Sequence, residues 1–305
     1  MKTQMYGRLQ FTILASATIA LAAANAPAAR VVAQLQPADL PSASVPAAAP
    51  VPQNLADAVC PVVYQVDDSP GTHGYHYIFY GNSFFINREG YLLTAAHVIS
   101  DFHNGGHPSI LLRQPSAPPR LVKVEVVATD SEHDVAILRA IPNPFAGPYA
   151  VAALPLASKE PPIGTAVQTT ALRPGHARNP ATFELPIPDS YSATILDYRS
   201  MVLDQDSTAA SASLASRRAP NPTKLFLFSH EVVRGQSGAP ILSSATNEVL
   251  GLIEGRWLHP AAGSRATAGL GNGAAPSLKQ GAAVPISYAL ALLQAQHISW
   301  SVQLQ

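Results

Sequence analysis

A long series of short segments rich in β-branched and aromatic residues limits what this chain can fold into. Residues 62–66, 91–94 and 249–253 are clear examples, and turn-forming residues separate them from their neighbours. Many short strands joined by turns are typical of all-β proteins built as sandwiches or barrels. Helical spacing is found near the end, where Ser287 is a candidate N-cap for a helix over residues 288–296. We therefore expect an all-β fold with a short C-terminal helix.

The other predicted strands follow the same pattern. They cover residues 75–80, 83–86, 109–112, 121–129, 135–139, 166–171, 183–185, 193–196, 224–228 and 239–242. Two stretches interrupt the series, residues 205–222, rich in Ser, Ala and Pro, and residues 259–281, rich in Gly and Ala. Both compositions indicate long loops.

The N-terminus carries the features of an export signal. Lys2 and Arg8 precede an apolar stretch at residues 11–23, and the small-residue cleavage pattern Ala24-Asn25-Ala26 follows it. This apolar stretch is shorter than the roughly 20 residues that span a membrane. A cleaved signal peptide is therefore predicted, and a retained membrane anchor is the alternative.

These features divide the chain into three parts. We predict a signal peptide at residues 1–26, a flexible linker rich in Ala and Pro at residues 27–54, and one folded domain at residues 55–305. After cleavage of the signal no stable membrane insertion is expected. The predicted location is the bacterial periplasm or the extracellular space.

Composition narrows the possible partners and cofactors. The 19 basic and 19 acidic side chains balance, so the chain has no electrostatic footprint for nucleic acid. Cys60 is the single cysteine, which rules out an internal disulfide and a cysteine-based zinc site. We expect Cys60 to be a small buried residue near the first strand, and an intermolecular thiol is the alternative. No metal and no cofactor are expected.

Three segments bring together the residue types of nucleophilic catalysis. His97 follows a strand and two small residues in Thr94-Ala95-Ala96-His97, and Asp134 directly precedes the apolar strand at 135–138. Ser237 lies in the tight turn Gly235-Gln236-Ser237-Gly238, and another strand follows it. Each segment alone is common, but their combination beside strands is not.

The chemistry of these residues forms a consistent set. A serine hydroxyl needs a base to take its proton, and neutral histidine does this near pH 7. A carboxylate on the other ring nitrogen holds the tautomer and stabilises the imidazolium. We therefore predict Ser237 as nucleophile, His97 as general base and Asp134 as its orienting acid. The backbone N–H groups of Gly235 and Ser237 are the predicted oxyanion hole.

The three motifs resemble those of the trypsin-like serine peptidases. The motifs TAAH at 94–97, DVAIL at 134–138 and GQSGAP at 235–240 are together specific for that family. The chain looks closest to the bacterial disulfide-free branch with the HtrA (Deg) and glutamyl endopeptidase groups. The resemblance implies two packed six-stranded antiparallel β-barrels with the active site in the cleft between them. It also implies a serine endopeptidase acting on proteins or peptides, while the oligomeric state stays open.

The chain departs from the family pattern at several points. Ser83 stands where HtrA proteins usually have glycine, and Gln236 replaces the acid that precedes the nucleophile in trypsin. Activation by a new N-terminus that pairs with this acid is therefore not expected. The residues after Ser237 are needed to complete the barrel and the final helix, which leaves no room for a PDZ domain.

Two acidic residues are candidates for the primary substrate pocket. Glu231 falls where similar proteases place the base of the pocket, and Glu254, at the end of the strand over 249–253, is expected on its wall. Acids at these places would favour Lys or Arg before the cleaved bond. A solvated loop residue is the alternative reading of Glu231.

Two rival functions remain open. The first is a catalytically silent binding module on the same fold, a pseudoprotease. The second is an α/β-hydrolase, which needs a G-x-S-x-G motif with the serine before its histidine. Ala239 breaks that motif and His97 precedes Ser237, so the second rival is weak.

Overall fold

The computed structural model describes residues 55–67, 75–100, 107–173, 186–201, 203, 222–258 and 279–302. The predicted signal peptide at 1–26, the predicted linker at 27–54 and the predicted strand at 183–185 lie outside these residues, as does most of the two predicted loops. In the part of the chain that is described, no helix is long and apolar enough to cross a membrane.

Six strands form the first closed barrel, here called barrel 1. They are β1 (Val59–Asp67), β2 (Tyr75–Phe85), β3 (Tyr91–Thr94), β4 (Ser109–Gln114), β5 (Ala117–Asp130) and β6 (Val135–Ile141). Their order around the barrel is β1-β2-β3-β6-β5-β4, and every pair is antiparallel. β1 also pairs with β4, which closes the barrel and leaves no free sheet edge.

Six further strands form barrel 2. They are β7 (Ala166–Arg173), β8 (Ile187–Met201), β9 (Thr223–Phe228), β10 (Pro240–Ser243), β11 (Val249–Leu258) and β12 (Lys279–Pro285). Their order is β10-β11-β12-β9-β8-β7, and β10 pairs with β7 to close the ring. The two six-stranded antiparallel barrels confirm the predicted fold class.

Pairing across strands explains where the predicted strands differ from those observed. β2 runs unbroken through Gly81 and Asn82, since both pair with β1, opposite Val62 and Pro61. β12 begins inside the loop predicted at 259–281, because β11 and β9 pair with it on either side. Partner strands supply hydrogen bonds that a local pattern does not show.

The two α-helices also differ from expectation. The C-terminal helix α2 spans Ile286–Ala295 with Pro285 as its N-cap, so the prediction of Ser287 as the cap is wrong. No side chain caps α2, and its burial of Ala289 and Leu293 on one face accounts for its position. The short helix α1, Ala96–Ser100, was not predicted, because five residues are too few for a periodic pattern.

Two apolar clusters form the core. One fills barrel 1 and contains Phe85, Leu92 and Leu138. The other joins residues of barrel 1 such as Phe84 to the interior of barrel 2, where Phe226 is fully buried, and to α2. The barrels are thus packed through a shared hydrophobic core. Cys60 is buried in the first cluster, and burial raises the pKa of its thiol, in agreement with the expected small apolar role.

Candidate active site

His97 lies in the first turn of α1, directly after β3. The backbone N–H of Ala96 donates to the Asp134 carbonyl at 3.1 Å, which ties the start of the helix to the turn before β6. The small side chains of Ala95 and Ala96 are buried, and the His97 side chain is 39% exposed. The sequence Thr94-Ala95-Ala96 therefore places His97 at the surface of barrel 1 with its backbone fixed.

Asp134 contacts His97 through both carboxylate oxygens. Oδ1 accepts from the His97 backbone N–H at 2.8 Å, and Oδ2 lies 2.8 Å from the ring atom Nδ1. Asp134 is only 3% exposed and has a φ of 56°, a left-handed conformation that Asp adopts more readily than most residues. A buried carboxylate on Nδ1 leaves Nε2 as the ring atom available to accept a proton.

Ser237 lies in a turn that depends on two glycines. Gly235 and Gly238 have φ values of 95° and 80°, in the region where side chains are disfavoured. A Cβ on Gly238 would lie 2.1 Å from the Asn82 carbonyl oxygen, so this turn packs directly against β2 of barrel 1. The Asn82 backbone N–H also donates to the Ser237 carbonyl at 2.8 Å. The turn of barrel 2 is thereby held on the surface of barrel 1, near α1.

The Ser237 hydroxyl donates to the backbone carbonyl of Glu254 at 3.1 Å. Serine has a single hydroxyl proton, so a hydrogen bond to the His97 ring would replace this one. The hydroxyl rotates freely about its Cβ–Oγ bond, and catalytic hydrogen bonds often form only when substrate is bound.

The side chain of Gln236, the residue before Ser237, stabilises the turn through hydrogen bonds within barrel 2. Its side chain is fully buried, its Oε1 accepts from the Val233 N–H at 2.9 Å, and its Nε2 donates to Asp189 at 3.1 Å. Its own backbone N–H donates to the Val233 carbonyl at 3.2 Å. Gln236, which replaces the acid found in trypsin, is thus hydrogen-bonded to Asp189 on β8 of the same barrel.

Glu254 interacts electrostatically with both His97 and Asp134. The predicted strand end after Ile253 is wrong, because β11 continues to Leu258 and Glu254 lies at an irregularity in its pairing with β12. Burial, with a smaller contribution from Asp134, raises the pKa of Glu254, and His97 opposes the shift. Its carboxyl group is therefore part of the electrostatic environment of that pair.

Glu231, the candidate pocket base, forms an ion pair within the protein. Its Oε1 lies 3.3 Å from Nη2 of Arg256, and Arg256 Nε donates to the Val232 carbonyl at 3.2 Å. Arg256 lies on β11, two positions after Glu254, so a cation pairs with one of the two predicted pocket acids. This cation offsets the negative charge on which the predicted preference for Lys and Arg depends.

Three residues that contact the site were not identified from the sequence. Asn82 and the adjacent Ser83 are polar residues between the aromatic ends of β2, which was the available signal for a buried polar role. Asp189 and Arg256 are ordinary charged residues on strands, and only folding brings them to Gln236 and Glu231. Among the described residues, no group of three or more His, Cys, Asp or Glu side chains is arranged to hold a metal ion.

A second Asp–His pair, formed by Asp130 and His133, directly precedes Asp134 in the sequence. Asp130 Oδ1 accepts from the His133 N–H at 3.1 Å, and Oδ2 lies 2.7 Å from His133 Nδ1. The His133 ring stacks on Tyr288 of α2 with centroids 4.0 Å apart, so its face is covered. The geometry of an Asp–His pair alone therefore does not mark a catalytic site.

Comparison with protein families gives one match. The model of the trypsin-like peptidase domain matches residues 81–252, more than half of the chain and the part that holds His97, Asp134 and Ser237. No match was found among curated proteins.

Several solved structures are similar to this chain at low sequence identity. The MamO protease domain from Magnetospirillum magneticum is 14% identical with a TM-score of 0.50, covering 79% of this chain and 98% of that one. The active form of the Rv3671c protease from M. tuberculosis is 16% identical with a TM-score of 0.48, covering 81% and 84%. Its inactive form is also similar, at 17% identity, a TM-score of 0.46 and coverage of 79% and 90%.

Proposed function

The chain belongs to the trypsin-like peptidase family, and we propose that it is a serine endopeptidase that cleaves peptide bonds through an acyl-enzyme on Ser237. The observation that carries the proposal is the double contact of buried Asp134 with His97, on the backbone N–H and on Nδ1. Because the carboxylate lies on Nδ1, Nε2 is the ring nitrogen that would take the Ser237 proton, on a half-exposed side chain. The turn of residues 235–238, here called the nucleophile turn, packs on barrel 1, and this contact adds support.

In the proposed first step, Ser237 Oγ attacks the carbonyl carbon of the scissile bond while its proton passes to Nε2 of His97. A bond from Oγ to carbon forms, and the carbonyl π electrons move to the oxygen. The N–H groups of Gly235 and Ser237 donate to that oxyanion, and one such donor is worth about 10²–10³ in kcat. His97 then gives its proton to the leaving amine as the C–N bond breaks.

In the proposed second step, water hydrolyses the acyl-enzyme. His97 takes a proton from the attacking water, and the same oxyanion contacts stabilise the second tetrahedral intermediate. The ester C–O bond breaks, the proton returns to Ser237 Oγ, and the new carboxylic acid leaves. Asp134 stabilises the imidazolium of both steps.

The test is cleavage of a peptide library by the wild-type protein and by Ser237→Ala. Loss of a serine nucleophile costs about 10⁶-fold in kcat in a well-studied protease, so we expect no detectable cleavage by the variant. A fluorophosphonate probe should label the wild type and not the variant. Equal cleavage by both proteins would show that Ser237 is not the nucleophile.

A catalytically silent binding module is the second candidate. The hydrogen bond from the Ser237 hydroxyl to the Glu254 carbonyl favours it, because the hydroxyl uses its single proton on a backbone carbonyl in that state. A folded wild-type protein that binds peptides but resists the fluorophosphonate probe would support this candidate and contradict the endopeptidase.

The proposed substrates are proteins or peptides, with Lys or Arg before the cleaved bond. Glu231 supports a basic preference by its charge, and its pairing with Arg256 at 3.3 Å acts against it. Relative cleavage rates of matched Lys, Glu and Leu peptides test this preference. Faster cleavage after Glu than after Lys would rule it out.

The proposed location is the periplasm or the extracellular space, on the strength of the predicted signal peptide at residues 1–26. The test is expression in a bacterial host, fractionation of the cells and mass spectrometry of the mature N-terminus. We expect a chain that starts near Pro27 in the exported fractions. A full-length chain retained in the membrane fraction would favour the anchor.

A further inference from the structure

Asn82 connects the two barrels at the turn that carries Ser237. It lies on β2 of barrel 1 and is completely buried. Its backbone N–H donates to the Ser237 carbonyl at 2.8 Å, and its own carbonyl accepts from the Thr94 hydroxyl at 2.6 Å. The backbone of Asn82 alone thus joins β2, β3 and the nucleophile turn.

The side chain of Asn82 adds three further hydrogen bonds, all to barrel 2. Oδ1 accepts from the Leu172 N–H at 2.7 Å, and Nδ2 donates to the Leu172 carbonyl at 3.0 Å and to the Gly235 carbonyl at 2.8 Å. These partners define the orientation of the amide, since one donor faces Oδ1 and two acceptors face Nδ2. Both amide protons are therefore used on backbone carbonyls of the other barrel.

The hydrogen bond from Asn82 Nδ2 to the Gly235 carbonyl restrains a conformationally flexible residue. Gly235 has no side chain, its φ is 95°, and glycine changes conformation at lower cost than any other residue. The peptide between Gly235 and Gln236 is held at both ends, because its N–H donates to the Val233 carbonyl and its carbonyl accepts from Asn82 Nδ2. The Gln236 side chain also accepts from the Val233 N–H. The turn is thus clamped between a side chain of its own barrel and one of the other barrel.

We propose that Asn82 is a positioning residue: its bond to the Gly235 carbonyl fixes ψ of Gly235, and this keeps the Gly235 N–H, which lies in the preceding peptide, in the orientation needed for oxyanion binding. The inference rests on the proposed endopeptidase function and assigns Asn82 no contact with substrate. Serine offers a single hydroxyl proton, so it cannot bond Leu172 and Gly235 as the carboxamide does. A catalytic donor displaced by about 1 Å can lose about 10²-fold in rate.

The test compares Asn82→Ser with Asn87→Ser as a matched control. Asn87 is also buried, its Oδ1 accepts from the Tyr91 N–H at 3.1 Å, and its Nδ2 donates to the Ser299 carbonyl at 2.7 Å. Neither of these two hydrogen bonds of Asn87 involves the nucleophile turn. Both variants lose a buried carboxamide, so a purely structural effect should appear in both.

We expect kcat of Asn82→Ser to fall about 10- to 100-fold with KM within about twofold of wild type. A peptide aldehyde, whose adduct oxygen occupies the oxyanion site, should bind more weakly by a similar factor. Asn87→Ser should lower the unfolding temperature while keeping kcat and aldehyde affinity. If Asn82→Ser lowers stability alone, with kcat unchanged, the positioning role is wrong.

Hydrogen–deuterium exchange separates this inference from the proposed function, because it requires no activity. Peptides covering residues 233–238 should exchange faster in Asn82→Ser than in wild type and in Asn87→Ser. Unchanged exchange there would overturn the inference even in an active enzyme, whereas an inactive wild type with the expected exchange would overturn only the endopeptidase. Asn82→Gly, which keeps the backbone N–H bond to Ser237, is the second variant if the first does not fold.

Discussion

Asp134 binds His97 at two points, accepting from its backbone N–H and from Nδ1, each at 2.8 Å. One carboxylate thus fixes both the position of the residue and the tautomer of its ring. The nearby pair of Asp130 and His133 has the same pattern but a covered ring. The two pairs together allow catalytic and structural roles to be separated by experiment.

Replacement of Asp134 by Asn should remove the acceptor for Nδ1–H and favour the wrong tautomer of His97. We expect kcat to fall by about 10⁴-fold with the fold preserved. The measurement is steady-state kinetics on a peptide substrate, with circular dichroism as the check on folding. Asp130→Asn is the control and should keep kcat within about twofold; an equal loss in both variants would contradict a special role for Asp134.

The raised pKa of Glu254 predicts a pH-dependent gain of stability in Glu254→Gln. Burial, and to a smaller extent Asp134, raise this pKa in the folded state, so the folded protein binds the proton more tightly than the unfolded chain. Ionised Glu254 therefore destabilises the fold at pH values above its folded pKa. This penalty shrinks as the pH falls and is absent below the unfolded pKa of about 4.3.

The unfolding temperature of Glu254→Gln should accordingly exceed that of wild type at pH 8, and the difference should approach zero near pH 4. Thermal unfolding followed by circular dichroism across this range measures it. Glu89→Gln, at an exposed turn position, is the control and should show no such trend. A variant less stable than wild type at pH 8 would refute the prediction.

Removal of the Arg256 cation should strengthen any preference that Glu231 gives for basic substrates. We expect Arg256→Ala to raise the ratio of Lys to Leu cleavage about fivefold, corresponding to about 1 kcal/mol for a partly exposed charge pair. The ratio of kcat/KM for two matched fluorogenic peptides measures it. Arg199→Ala, which breaks the 2.6 Å pair with Asp197 on β8, is the control and should leave the ratio unchanged.

Gly238→Ala should destabilise the protein strongly. The new Cβ would lie 2.1 Å from the Asn82 carbonyl oxygen at a φ of 80°, so it adds a clash to a strained backbone. We expect a loss of about 3 kcal/mol in the free energy of unfolding, measured with denaturant. Gly164→Ala, with a φ of 89° and open space around the Cβ, isolates the backbone strain and should cost about 1 kcal/mol.

Local sequence pattern was sufficient for much of the fold. Short β-branched segments predicted most of the strands, and their closure into two antiparallel barrels confirmed the expected fold class. The extent of β2 and the start of β12 were not predictable, because each depends on hydrogen bonds to partner strands distant in sequence. Helix α1 was missed since its five residues follow a strand without a periodic pattern.

The candidate site divides in the same way. His97, Asp134 and Ser237 were identified from the sequence because nucleophilic catalysis needs those residue types, and short motifs around each carry the turns and strand ends. The structure brings Asp134 into contact with His97, and the catalytic roles of His97, Asp134 and Ser237 stay predictions. The ion pair of Glu231 with Arg256 was not predicted, because no sequence motif around either residue indicates that the two side chains meet.

The sequence by itself predicted an all-β fold from strand patterns and turn residues, which are local properties. The three short motifs around His97, Asp134 and Ser237 indicated the family and the chemical types at the site. Only the tertiary structure decided how those groups are held. Asn82 reaches Gly235 across 153 positions of sequence, and His97 reaches Asp134 across 37. The first contact depends on the packing of one barrel against the other, and the second on the closure of barrel 1. Many weak interactions between distant segments contribute to both, so no single segment specifies them.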